Sequence, residues 1–120
     1  MSRATDELER EMYAAGAQFR IFQRITTLVK GDEALKVRFF IRPRFFVQVY
    51  ADAFTGTRNF ALVMDEQRIY GRDCQCCSNW HRHPFGQPDE HDTGPTGNQP
   101  MGVEEFLEEV QELVEREELL

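Results

Sequence analysis

The sequence predicts an α+β domain in which an N-terminal helix precedes a four-stranded antiparallel meander and an amphipathic C-terminal helix packs on the sheet. Three observations lead to this fold class: a helical apolar period before Gly31, a period of two between Leu35 and Gly71, and a second helical period after Gly102. A length of 120 residues with 41% hydrophobic residues suits one domain with a single core. We therefore expect one domain that spans residues 1–120.

The first predicted element is a helix that Ser2 or Thr5 can cap. Its apolar residues recur every three to four positions: Leu8, Met12, Ala15, Phe19 and Phe22. The stripe continues toward Ile25 and Val29, and Gly31 follows it. The pattern therefore predicts a long helix that ends at Gly31.

Four short, consecutively joined segments then alternate between apolar and polar residues, which predicts an antiparallel meander. These strands are expected at residues 35–42, 45–51, 59–64 and 68–71. Arg38, Arg42 and Arg44 lie on the polar side of the first two strands. They are placed to contact either phosphate groups or a Glu-rich helix.

The charge of the chain is unevenly distributed. The net charge is −7, and residues 103–120 alone hold eight Glu against one Arg, whereas residues 20–72 hold ten Lys and Arg against five acidic residues. The C-terminal segment also carries a helical apolar stripe, formed by Val103, Phe106, Leu107, Val110, Leu113 and Val114. It is therefore predicted to be a helix with a solvated Glu face, docked on a sheet whose basic side can still bind an anion.

Residues 73–102, between the last predicted strand and this helix, contain all three Cys, all three His and the single Trp. We expect a long loop here, with a mobile second half at about residues 87–102 that is rich in Pro, Gly and Asp. Pro84 favours an extended backbone at His83. In an extended segment His81 and His83 point to the same side and Arg82 points to the other.

Two imidazoles on one side of the chain suit metal-independent acid–base chemistry on an RNA phosphodiester. One of His81 and His83 would take the proton of a ribose 2′-hydroxyl and the other would protonate the leaving 5′-oxygen. An arginine would hold the phosphate, and the candidates are Arg82, Arg72 and Arg68. This hypothesis requires no cofactor.

Zinc binding is the alternative hypothesis for the same segment. Cys76 or Cys77 could bind zinc together with His81 and His83, with His91 as a further ligand. The spacing matches no standard zinc finger. In that case the protein would be a non-enzymatic, zinc-stabilised module that binds a protein partner through its acidic helix or its loop. A third interpretation is a surface turn that is rich in His and has no function of its own.

The sequence also argues against some classes of protein. No segment approaches the roughly 18 apolar residues that a membrane-spanning helix needs. The first residues lack the apolar stretch of a signal peptide, and the three clustered Cys do not form a disulfide framework. A cytoplasmic protein without a membrane partner is therefore expected, either as a monomer or as a homodimer.

The segments 68–73 and 80–86, followed by His91 and the amphipathic helix, resemble the TumE-type toxins of prokaryotic toxin–antitoxin systems. The resemblance covers roughly residues 58–120, and the chain departs from the family pattern after Asp73, where Cys and Gln replace an Asp-Asn-x-x-His-His element. The resemblance implies RNA cleavage, with Asp73, His81, His83 and His91 at the positions that match. It also implies a helix-turn-helix antitoxin as partner.

Overall fold

The fold is an antiparallel sheet with helices packed on one of its faces. The structure is a computed structural model that describes residues 3–76 and 79–120. Within these residues the elements are α1 (Ala4–Gly16), β1 (Arg24–Lys30), β2 (Ala34–Arg42), β3 (Phe45–Asp52), β4 (Arg58–Met64), β5 (Gln67–Gln75), β6 (Asn79–His83) and α2 (Val103–Arg116). The strands pair in sequence order, β1 to β6, and every pair is antiparallel.

The α+β class and the meander are confirmed, but the prediction of four strands is wrong, because the described part of the chain forms six. The first additional strand is β1, which occupies residues expected at the end of the N-terminal helix. That helix instead ends at Gly16, where a Cβ would lie 2.6 Å from Ile25 and 2.8 Å from Phe39. The β-branched residues that follow favour a strand, and β2 offers an edge with which they pair.

The second additional strand is β6. β5 does not end at Gly71 but runs to Gln75, and it forms a hairpin with β6, so the first half of the predicted loop is part of the sheet. The hairpin turn contains Cys76, while Cys77 and Ser78 lie outside the described residues. The sequence of this hairpin does not show the apolar–polar alternation of a strand, because the charged residue Arg72 occupies a buried position.

The docking of the C-terminal helix on the sheet is confirmed. The apolar stripe of α2 is buried from Phe106 to Val114, and Phe106 contacts the rings of Phe60 and Tyr70 with centroids 5.2 Å and 6.0 Å away. The buried apolar residues of α1 in this core are Met12 and Ala15, and Leu8 and Tyr13 pack against it. Neither helix in the described chain is long and apolar enough to cross a membrane.

The two faces of the sheet differ in chemistry. The face toward the helices carries the fully buried residues, such as Val37, Val49 and Phe60. The opposite face, which we call the open face, carries the alternate, half-buried residues of the same strands. Its cross-strand neighbours form three rows: Arg24, Phe40, Phe46, Val63 and Arg68; Thr26, Arg38, Gln48, Ala61, Gly71 and His83; Lys36, Tyr50, Asn59, Asp73 and His81.

A buried ion pair joins α2 to β5 on the helix face. Arg72 is 2% exposed and donates from Nε and Nη2 to the two carboxylate oxygens of Glu109, at 2.7 Å and 2.9 Å. The hydroxyl of Tyr70 donates to the same carboxylate, and Nη1 of Arg72 donates to the carbonyl of Thr96 at 2.7 Å. These bonds attach both the helix and the 84–102 connection to the back of β5.

Candidate functional site

The site lies at the β5–β6 end of the open face and contains every histidine of the chain. The register places His81 opposite Asp73 and His83 opposite Gly71, so both imidazoles are on the open face as the sequence predicts. His91 reaches them from the connection after β6. The backbone of Asp92 pairs with Arg82 through bonds of 2.8 Å and 2.9 Å, which places the residue beside it at the cluster.

The three imidazole rings converge edge to face. Their centroids are 4.8–4.9 Å apart and their planes are inclined by 65–73°. One nitrogen from each ring can be chosen so that all three lie within 4.8 Å of one another. His83 is buried, His81 is half-buried and His91 is exposed, so the cluster is closed at one side and open to solvent at the other.

His83 is held by both ring nitrogens. Its Nδ1 lies 2.9 Å from the carbonyl of Pro88, and because a carbonyl only accepts, Nδ1 carries the proton of that bond. Its Nε2 lies 2.8 Å from Oδ2 of Asp73. With Nδ1 as the donor to Pro88, a neutral His83 has its lone pair on Nε2, so the contact with Asp73 needs a proton or a bound cation between the two atoms.

Asp73 is the carboxylate at the centre of the site. Besides His83, its Oδ2 faces Nε2 of His81 at 3.5 Å and Nη1 of Arg68 at 3.7 Å. Arg68 also approaches the Pro88 carbonyl, from Nη2 at 3.4 Å. Burial lowers the pKa of His81 below its ordinary value, and the charge of Asp73 acts against this shift.

The structure separates the three arginines predicted to hold a phosphate. Arg68 lies on the open face beside Asp73. Arg72 and Arg82 lie on the other side of the same strands, where Arg72 is paired with Glu109 and Arg82 with Asp92. Burial alone would lower the pKa of Arg72, but the hydrogen bonds that Arg72 donates to Glu109, together with the negative charge beside it, raise the pKa above its ordinary value. Only Arg68 of the three is therefore placed beside the histidines.

Of the two cysteines in the predicted zinc set, Cys76 is described by the structure and is not part of the histidine cluster. Cys76 is exposed in the β5–β6 turn, and its N–H donates to Oγ1 of Thr57. Cys77 lies outside the described residues. Among residues 3–76 and 79–120, the group that could hold a metal ion is His81, His83 and His91.

The basic side of the sheet adjoins the site and carries aromatic residues that the sequence analysis did not assign to it. On the open face the guanidinium of Arg24 lies 4.6 Å above the ring of Phe40, and that of Arg38 lies 4.4 Å above the ring of Phe46. The signal was present in β2 and β3, because Phe40 and Phe46 alternate with the buried residues. Toward the cluster the middle row has small residues, and a Cβ at Gly71 would lie 2.7 Å from the carbonyl oxygen of Phe60.

Two of the other basic residues of this region have partners away from the site. Arg42 donates to the carbonyl of Leu119 at 2.8 Å, and Arg44 pairs with Asp65 at 3.3 Å. The cationic side chains of the open face proper are Arg24, Lys36, Arg38 and Arg68. A positive surface next to a cluster of imidazoles suits an anionic substrate.

Comparison with known proteins adds no relative to this description. No protein-family model matches the chain, and no match was found among curated proteins or solved structures.

Proposed function

We propose that the chain is an endoribonuclease whose reaction centre is the cluster of His81, His83, His91 and Asp73. The observation that carries the proposal is the continuity of the open face with this cluster. Rows of arginine, lysine and aromatic side chains cross the sheet, and two of the three rows end at His81 and His83. A single-stranded RNA laid along these rows would bring its backbone to the histidines.

The chemistry of the open face supports a single-stranded nucleic acid as substrate. Phosphates attract Arg and Lys, and bases stack on aromatic rings irrespective of their sequence. Phe40 and Phe46 lie side by side with centroids 5.3 Å apart, and each has an arginine above it. Asp73 is the only acidic residue in the three rows, and it lies within the cluster itself.

In this proposal the metal-independent mechanism uses His81 and His91 instead of the predicted pair, His81 and His83. Because both nitrogens of His83 are engaged, His81 and His91 are the residues that can reach a substrate. One of them takes the proton of the 2′-hydroxyl, whose oxygen attacks phosphorus. The bond to the 5′-oxygen breaks, the other histidine protonates that oxygen, and a 2′,3′-cyclic phosphate remains. Arg68 is the side chain that would bind the phosphate.

The resemblance to TumE-type toxins suggests the biological setting. Expression of the chain would then arrest growth through RNA cleavage, and a helix-turn-helix protein would neutralise it. Cleavage depends on the cluster in this proposal, so His91→Ala is expected to relieve the arrest while leaving the fold intact, since His91 is exposed.

The experiment that tests the proposal measures binding and cleavage of a fluorescent single-stranded RNA. Phe46→Ala should weaken binding by about 1–3 kcal/mol, the contribution of one stacked base. Arg38→Gln should weaken it too and reduce its salt dependence. Arg116→Gln is the matched control, because Arg116 is exposed on α2, away from the open face.

Cleavage should be lost in His91→Ala while RNA binding is retained. Binding that is unaffected by Phe46→Ala and Arg38→Gln would contradict the assignment of the open face. A protein that binds RNA but cleaves none would contradict the enzymatic proposal and leave a binding module as the better account.

A further inference from the structure

We propose that His81, His83 and His91, with Asp73 as a fourth ligand, form a binding site for one divalent transition-metal ion of the zinc class. The site differs from the cysteine-containing set that the sequence suggested. The inference deepens the proposed function, because it concerns the same cluster, but it is argued from the cluster's own geometry.

The first argument is the orientation of His83. Its Nδ1–H donates to the carbonyl of Pro88 at 2.9 Å, which in the neutral ring leaves the lone pair on Nε2. A backbone carbonyl bonded to one ring nitrogen is the usual arrangement that orients the other nitrogen toward a metal. The Nε2 of His83 points at Oδ2 of Asp73, 2.8 Å away, and a cation bound by both atoms removes the conflict between their lone pairs.

The second argument is distance. A tetrahedral ion with bonds of about 2.0–2.1 Å to nitrogen and oxygen places its ligand atoms about 3.3 Å apart. Oδ2 of Asp73 lies 2.8 Å from Nε2 of His83 and 3.5 Å from Nε2 of His81, values on either side of this spacing. The selected nitrogens of the three histidines lie within 4.8 Å of one another, and Asp73 is not in this group as the site now stands. His91, on the exposed connection, is the ligand whose small movement would complete the set.

The third argument concerns which ion the ligands suit. Imidazole nitrogens are ligands for zinc, copper, nickel and iron, whereas magnesium and calcium prefer an oxygen shell. Three imidazoles and one carboxylate therefore favour a transition metal over Mg²⁺. Asp73 contributes one negative charge toward the ion, and Arg68, 3.7 Å from the same carboxylate oxygen, is the positive side chain that opposes it.

A metal at this position would change the chemistry of the proposed ribonuclease. The ion would activate a bound water that attacks phosphorus, and the P–O bond to the leaving oxygen would break as that oxygen takes up a proton. The cleaved RNA would then end in a linear phosphate, whereas attack by the 2′-hydroxyl leaves a cyclic one. The nature of the product end distinguishes the two mechanisms.

The test is a metal titration of the whole chain, prepared without a polyhistidine tag and freed of metal with a chelator. Zinc should bind at about one ion per chain and raise Tm, cobalt should give the visible absorption of a nitrogen-ligated ion, and magnesium should do neither. His91→Ala should lower the zinc affinity by at least about 100-fold, since even partners that only orient a ligand contribute 10–100-fold. Cys76→Ser is the control and should leave the affinity unchanged.

The inference is overturned if the folded protein binds no zinc, or if His91→Ala binds it as tightly as the parent chain. Loss of binding in Cys76→Ser would assign the metal to the cysteine-containing set instead. Zinc bound with the expected stoichiometry, but without any RNA cleavage, would support the inference and contradict the proposed function. RNA cleavage by a protein that binds no zinc would contradict the inference and support the proposed function.

Discussion

The contribution of the buried pair of Arg72 and Glu109 to stability can be measured by comparing Glu109 with its neighbour in α2, Glu108. Glu109→Ala removes the carboxylate that accepts two bonds from Arg72 and one from Tyr70. Glu108→Ala changes the adjacent residue in the same way, but Glu108 is exposed. Because both variants replace Glu by Ala in α2, the helix propensity changes equally and cancels in the comparison.

The magnitude follows from the burial of the two partners. Breaking a buried ion pair by removing one partner costs about 3–5 kcal/mol, because the other charge is left uncompensated. Arg72 is 2% exposed but Glu109 is 27% exposed, which favours the lower end of this range. We therefore expect Glu109→Ala to lower the free energy of unfolding by about 3 kcal/mol, and Glu108→Ala by less than about 1 kcal/mol.

Urea denaturation followed by circular dichroism measures the free energy of unfolding of both single variants, and thermal denaturation measures their Tm. At about 4 °C per kcal/mol for a domain of this size, Tm should fall by about 12 °C in Glu109→Ala. The double variant Arg72→Met/Glu109→Leu should recover much of the loss, since a packed apolar pair can replace a buried ion pair. Equal stability of the two single variants would refute the reasoning, and so would a double variant less stable than Glu109→Ala.

Two further predictions concern the same face of the sheet. Leu107 is fully buried, so Leu107→Ala should cost about 2–5 kcal/mol in urea denaturation, and an unchanged midpoint would mean that α2 is not docked. Burial and the bond to Glu109 raise the pKa of Tyr70 to about 12, above its ordinary value of 10.0. The unfolded chain therefore loses this proton first, and stability should fall as the pH rises from about 10 to 12. The fall should be smaller in Tyr70→Phe, and an identical pH dependence in the two proteins would contradict the shift.

The parts of the fold that could be predicted are those in which the buried residues are apolar. The alternation in β2, β3 and β4 and the helical stripe of α2 have this property, and each was assigned correctly. β1 was not, because Ile25 and Val29 fit a helical stripe as well as they fit a strand. The choice between the two depends on the edge of β2, a tertiary contact that the local pattern does not contain.

β6 and the end of β5 could not be predicted from the sequence for a different reason. Arg72 occupies a buried position on β5, and a charged residue there is compatible with the core only because Glu109 lies opposite it. Glu109 lies three residues after Phe106 and four before Leu113, so it falls on the apolar stripe of α2. This spacing indicates that Glu109 lies on the buried side of α2. Which residue pairs with Glu109 depends on how the helix docks, and the spacing does not contain that information.

The site could be predicted where it depends on local geometry. Pro84 and the strand period place His81 and His83 on one side, which the hairpin confirms. The position of His91 depends on the backbone pairing of Asp92 with Arg82, ten residues apart, and no periodicity reveals such a contact. Its assignment as a catalytic residue depends on the resemblance, and its assignment as a zinc ligand depends on its residue type alone.

The alternation of β5 connects stability with the site. Tyr70 and Arg72 face the helix and bind Glu109, while Asp73 faces the histidines. The register irregularity in the β4–β5 pairing, between Leu62 and Val63, brings Arg68 to the face of Asp73 as well. Arg72 also holds the carbonyl of Thr96, in the connection that carries His91. A strand whose neighbouring residues serve opposite faces cannot shift on one face without moving the other. Arg72 thus links Glu109 to the connection that carries His91, so Glu109→Ala is expected to weaken zinc binding at the proposed site, which a zinc titration of this variant measures.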